Sequence, residues 1–121
     1  MILYTLPHSS YATKVAIVIA IKGIEGEFEM REPPGGLRTD TYRGVIPMCQ
    51  IPALIDGDLT ISESEVISEY LEERFSEPPL LPADPKARAR SRFFSRFHDI
   101  HLEPRSAIST GRFRSAPAIW R

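Results

Sequence analysis

Pro47-Met48-Cys49-Gln50-Ile51-Pro52-Ala53-Leu54-Ile55-Asp56-Gly57-Asp58-Leu59-Thr60-Ile61-Ser62-Glu63-Ser64 sets two prolines, a hairpin and a helix start within 18 residues, and this stretch decides the fold. No helix fits between Pro47 and Pro52, because proline lacks an amide donor and pushes the residue before it to extended backbone. Ala53-Leu54-Ile55 then reads as a strand, Asp56-Gly57 as a tight turn and Leu59-Thr60-Ile61 as the returning strand. Ser62, with Glu65 three positions on, has the spacing of a capping box. The helix that follows carries Val66, Ile67, Tyr70, Leu71 and Phe75 on one side and Glu69, Glu72 and Glu73 on the other.

Toward the N-terminus, Ile2 to Leu6 is a short apolar, β-prone run closed by Pro7 and reads as a buried strand. His8-Ser9-Ser10 supplies cap residues before Tyr11 to Lys22, where Ala12, Val15, Ala16 and Ile19 recur at helical spacing and Gly23 provides a stop. The apolar run Val15–Ile21 predicts that this helix is covered on more than one side. Gly26 to Glu32 alternates Phe28 and Met30 with charged residues, as a strand with one wet face does. Pro33-Pro34-Gly35-Gly36 is a loop, and Thr39 to Val45 suits a short, irregular helix. The order βαβαββα, with a parallel first pair and an antiparallel hairpin, is the thioredoxin-like α/β plan.

Ser76 to Pro85 holds four prolines and reads as a connection, and Lys86 to about Glu103 is helix-prone with Phe93, Phe97 and Ile100 on one stripe. This divides the chain into a domain at 1–77, a linker at 78–85 and the start of an all-α domain at 86–121. Charge shifts at the same place: residues 1–83 carry 6 basic against 13 acidic side chains, residues 84–121 carry 9 against 3, and the net is −1. Such a shift marks a module boundary. Nucleic acid is not expected as a partner, because aromatics are not interleaved with the arginines as stacking platforms. No membrane span is expected either, since Val15–Ile21 is too short to cross a bilayer. The single cysteine, Cys49, excludes an internal disulfide framework and a Cys-rich metal site. Met1 to Tyr4 lacks the basic leader of a signal peptide, so the reading places the chain in the cytoplasm.

Three segments would converge at one edge of this fold. Ser9-Ser10 stands where a helix N-terminus offers unpaired N–H groups and about half a positive charge, which stabilises an anion such as a thiolate. One of the two serines can equally be a plain helix cap. Gln50-Ile51-Pro52 opens a strand with an X–Pro bond, the one peptide type that adopts cis cheaply, and leaves the Ile51 N–H and C=O to pair with an extended peptide. An ordinary trans proline at a strand edge is the alternative. At Ser62-Glu63-Ser64, hydroxyl and N–H groups can grip a carboxylate and Glu63 can take an ammonium group, or the segment is only a cap.

These segments together carry a resemblance. Leu3-Tyr4, then Ser9-Ser10-Tyr11-Ala12-Thr13-Lys14-Val15, resembles the active-site helix of serine-type cytosolic glutathione transferases, zeta-like members especially. Pro47 to Leu54 is similar to their segment N-P-x-x-x-[VI]-P-x-L. Glu63-Ser64, Ile67 and Glu69-Tyr70-Leu71 are similar to their [EQ]-S-x-x-I-x-x-Y-L helix. The resemblance implies a glutathione-binding transferase of the detoxifying type, acting on a small electrophile or as an isomerase, with glutathione as co-substrate, no metal and a homodimeric assembly. It implies Ser9 as the thiolate-stabilising hydroxyl with Ser10 assisting, and Tyr4 as the runner-up. Gln50, Ile51 and a cis Pro52 would hold the cysteinyl part, and Glu63 and Ser64 the γ-glutamyl end. A serine at the position of a thiol-transfer cysteine implies conjugation or isomerisation rather than disulfide reduction. Where zeta members carry Ser-Ser-Cys and then an arginine, this chain has Tyr11 and Lys14. Arg105 to Arg121 lacks a helical period and reads as a truncated or frame-shifted end to the helical domain. The alternative function is a non-catalytic binding or assembly module.

Overall fold

The computed structural model describes residues 1–102. The chain divides into two compact units, Met1–Leu80 and Leu81–Arg121. The first holds β1 (Ile2–Tyr4), α1 (Ser10–Lys22), a 3-10 turn (Glu25–Glu27), β2 (Glu29–Arg31), α2 (Asp40–Arg43), β3 (Ala53–Asp56), β4 (Leu59–Ser62) and α3 (Ser64–Arg74). The sheet order is β2-β1-β3-β4, with β1 and β2 parallel and the other pairs antiparallel. This is the expected thioredoxin-like arrangement.

Successive strand residues face opposite sides of a sheet, and β1 shows both sides at once. Leu3 packs with Leu54, Val15 and Ile19 of α1, and Ile67 and Leu71 of α3. Tyr4 and Ala53 pack on the other side with Tyr42 and Ile46. So α1 and α3 cover one face, and α2 covers the other. Each fully buried Leu, Ile or Val contributes about 1.5–3 kcal/mol against an exposed reference. Gly23 ends α1 at φ 65, the left-handed conformation that glycine adopts without strain.

Four expectations are corrected. α1 is covered on one side, not more: Ile17 and Ile21 are more than half exposed, because the 13-residue helix turns only Ala12, Val15 and Ile19 of its apolar residues fully inward. β2 is only three residues long and exposed, with Met30 at a sheet edge and the 3-10 turn occupying 25–27. Val66 lies on the exposed side of α3, while Ile67 and Leu71 face the core. The capping box at Ser62 does not form. Ser62 is still in β4, Glu63 is the cap residue with no side-chain cap bond, and Glu65 is engaged by Lys14.

In the second unit, α4 (Pro85–Phe97) has Asp84 as its N-cap, accepting from Ala87 N at 2.8 Å, and continues as a π-helical turn at His98–Leu102. Phe93, Phe94 and Phe97 are exposed, and the rings of Phe93 and Phe97 lie 6.3 Å apart. The expected irregular segment Arg105–Arg121 lies outside the described residues. Among the described residues no helix is long and apolar enough to cross a membrane.

Candidate glutathione site

Sheet register brings the three segments to one edge. Tyr4 is paired with Arg31 on one side and Ala53 on the other, and Ala53 with Ser62, so these four residues form a row across the sheet. From this row the chain runs on from Tyr4 toward Ser9, arrives at Ala53 through Ile51-Pro52, and leaves Ser62 into Glu63-Ser64. All three segments therefore leave the sheet at the same end, which also holds the C-terminal ends of the parallel strands β1 and β2. That is where ligands bind in open α/β sheets.

Ser9 is the N-cap of α1: its Oγ accepts from Ala12 N at 3.2 Å, and its carbonyl accepts from Thr13 N at 2.9 Å. A serine hydroxyl has one donor and two acceptor sites, so capping occupies an acceptor and leaves the O–H able to donate. The capping role and the thiolate-stabilising role are compatible in this residue. Ser10 is the first residue of α1 and is exposed. Tyr4, the runner-up hydroxyl, is buried on the α2 face with its ring 5.4 Å from that of Tyr42, edge to face. It is thus on the opposite side of the sheet from α1.

The Ile51–Pro52 bond is cis, as expected, with Pro52 buried and Ile51 half-buried. Among the described residues, nothing in the chain bonds the Ile51 N–H or C=O. Gln50 is exposed, and its carbonyl accepts from the Tyr42 hydroxyl at 2.7 Å. Burial, with Tyr4 and Cys49 nearby, pushes the Tyr42 phenol up to about 12.

Glu63 is exposed at φ 79 and ψ 117, a conformation that costs a side-chain-bearing residue of order 1–3 kcal/mol. Its carbonyl accepts the first helical bond, from Ile67 N at 3.0 Å. Ser64, next in the chain, is buried at 4% exposure. The start of the 11-residue α3 is without a side-chain cap, so its N-terminal field is directed at whatever lies beyond Glu63.

Three features were not read from the sequence. The Lys14 ammonium pairs with Glu65, joining the first turns of α1 and α3 across 51 positions of chain. The opposite charges were visible, but no spacing rule links residues so far apart. Glu63's positive φ has no composition signal, since glutamate rarely adopts it. The bond between Tyr42 and Gln50 joins a core residue to a surface segment. Among the described residues no group of three or more His, Cys, Asp or Glu is placed to hold a metal.

The site's frame is a thioredoxin-like domain with a serine-capped first helix, a cis-proline strand start and a glutamate at positive φ before a second helix. Residues 3–79 match the glutathione S-transferase N-terminal domain, and the chain belongs to that family. It is 41% identical over 88 residues to glutathione S-transferase Z1 of Arabidopsis thaliana, covering 72% of this chain and 40% of that protein. It is 40% identical over 92 residues to the stringent starvation protein A homolog of Coxiella burnetii, covering 76% and 43%. Among solved structures, a bacterial maleyl pyruvate isomerase of the zeta class superposes with a TM-score of 0.78 at 28% identity, over 86% of this chain and 50% of that one. A glutathione transferase homolog from Burkholderia, solved with bound glutathione, gives 0.69 at 29% identity over 85% and 55%. The chain spans about two fifths to one half of the length of the curated relatives it matches.

Proposed function

We propose that this chain binds glutathione across the starts of α1, β3 and α3 and holds its sulfur as a thiolate against the Ser9 hydroxyl. Ser10 assists at the same helix start, Gln50, Ile51 and Pro52 take the cysteinyl part, and Glu63 and Ser64 take the γ-glutamyl end. The observation that carries this reading is the Tyr4–Ala53–Ser62 row, which sends all three segments off one sheet edge. The Burkholderia neighbour with bound glutathione supports the choice of ligand. The domains follow the same logic: a glutathione-binding domain at 1–77, a linker at 78–85 and the start of a helical domain at 86–121.

The chemistry follows from the charge on sulfur. The thiol proton passes to solvent, and the thiolate electron pair forms a C–S bond with an electrophilic carbon. In conjugation the leaving group departs with its bonding pair. In isomerisation the adduct rotates about the former double bond and then expels the thiolate. Ser9 lowers the cost of the charged sulfur by donating to it, and the α1 N-terminus adds its field.

The protein acts as a cytoplasmic homodimer. Exposed Phe93, Phe94 and Phe97 on α4, beside Arg88, Arg90, Arg92 and Arg96, form an apolar patch of the kind that marks an interface. Light scattering at tens of micromolar checks this, with a stable monomer as the contrary result. A second reading is a binding or assembly module without turnover. Glutathione titration beside turnover of an aryl halide separates the two. Saturable binding with turnover supports the enzyme, binding alone supports a binding module, and no binding refutes both of these and leaves only an assembly role.

A further inference from the structure

The geometry points to Tyr42 as the positioning residue for glutathione, resting on the proposed site: its hydroxyl turns the Gln50–Ile51 peptide so that the Ile51 N–H faces the ligand. Tyr42 is fully buried, and its hydroxyl donates to the Gln50 carbonyl at 2.7 Å. A trans peptide unit is planar, and its C=O and N–H point in opposite directions. Gln50 C=O and Ile51 N–H belong to one such unit. With the oxygen held inward on Tyr42, the N–H is directed outward, and no acceptor in the described chain takes it.

Several contacts fix the position of Tyr42 itself. Its backbone N–H donates to Thr39 Oγ1 at 3.2 Å, the N-cap of α2. Its carbonyl accepts from Ile46 N at 2.7 Å, and its ring stands edge-on to Tyr4. Gln50 is exposed and its carbonyl lies next to a segment with no ladder bond of its own. Without the phenol, the Gln50–Ile51 unit is free to rotate, and the donor that meets the ligand's backbone carbonyl loses its fixed direction.

The test is Tyr42→Phe, which removes one oxygen and keeps the ring. Three measurements are read: the unfolding midpoint, glutathione affinity by calorimetry, and the 15N shift and exchange rate of the Ile51 amide. The expected result is binding weakened about five- to tenfold, the worth of roughly 1 kcal/mol from one hydrogen bond, with a changed Ile51 shift. Unchanged affinity per folded molecule assigns Tyr42 to stability alone and overturns the proposal. In the unaltered chain, whether or not the variant folds, the Ile51 amide exchanges freely when alone and becomes protected by saturating glutathione. An Ile51 amide already protected in the free chain also overturns the assignment. A chain with a freely exchanging Ile51 amide that takes up no glutathione overturns the glutathione reading instead.

Discussion

Lys14 on α1 and Glu65 on α3 form an ion pair that ties together the two helix starts on either side of the proposed glutathione cleft. Both side chains are mostly buried, at 29% and 18% exposure, so the pair is better screened from water than a surface contact. A double-mutant cycle with Lys14→Met and Glu65→Gln is expected to give a coupling of about 0.5–1 kcal/mol at low salt, shrinking as salt rises. Additive effects at every salt concentration would show that the pair does not hold the helices together.

Lys22 closes the other end of α1. Its ammonium group is fully buried, donates to the carbonyls of Phe75 at 2.7 Å and Pro78 at 2.9 Å, and pairs with Glu72 at 2.6 Å. Lys22→Met leaves a carboxylate and two carbonyls without their cation, and breaking such a pair costs about 3–5 kcal/mol. Denaturant unfolding measures it. A loss below about 1 kcal/mol would mean the ammonium group contributes little to that corner.

These two lysines show what was legible in the sequence and what was not. Strand, turn and helix order followed from local signals: prolines at 47 and 52, the Asp56-Gly57 turn, and the apolar spacing of Val15, Ile19, Ile67 and Leu71. Ser9, Ile51-Pro52 and Glu63-Ser64 were legible as a group because each lies at an element boundary. What decides their environment is contact between distant residues. Lys22 reads locally as a basic residue ending a helix, yet it is buried because the 75–78 backbone folds over it. The capping box failed for the same reason: Glu65 fits the pattern, and Lys14 takes it.

Tyr42 gives a pH signature. Its folded-state pKa of about 12 lies above the ordinary value of 10.0, so the folded chain holds this proton more tightly than the unfolded one. That stabilisation is complete below pH 10 and is lost as pH rises from 10 toward 12. Tyr42→Phe is therefore expected to be less stable at neutral pH, with the gap to the parent closing across that alkaline range. A gap independent of pH would contradict the buried, hydrogen-bonded phenol.

Glu63 holds a backbone conformation that glycine would adopt more cheaply. Glu63→Gly is expected to raise stability by about 1 kcal/mol while weakening glutathione binding, because the proposed site gives this strained residue the γ-glutamyl end. Chemical denaturation and calorimetry on one sample check both halves. Lower stability would show that the positive φ carries no strain, and undiminished binding would remove Glu63 from the site.

Whether Ser9 holds the sulfur of bound glutathione as a thiolate is decided by ultraviolet titration of the bound thiol. In the parent chain the bound thiol is expected to ionise about two pH units below free glutathione, equivalent to roughly 2.7 kcal/mol of preference for the charged sulfur. Ser9→Ala should remove most of that preference, along with about 1 kcal/mol of helix-cap stability. Ser9→Asp should keep the cap and still lose the thiolate, because its carboxylate repels the sulfur. A bound thiol that titrates at the same pH in the parent and in Ser9→Ala would show that the Ser9 hydroxyl does not hold the thiolate.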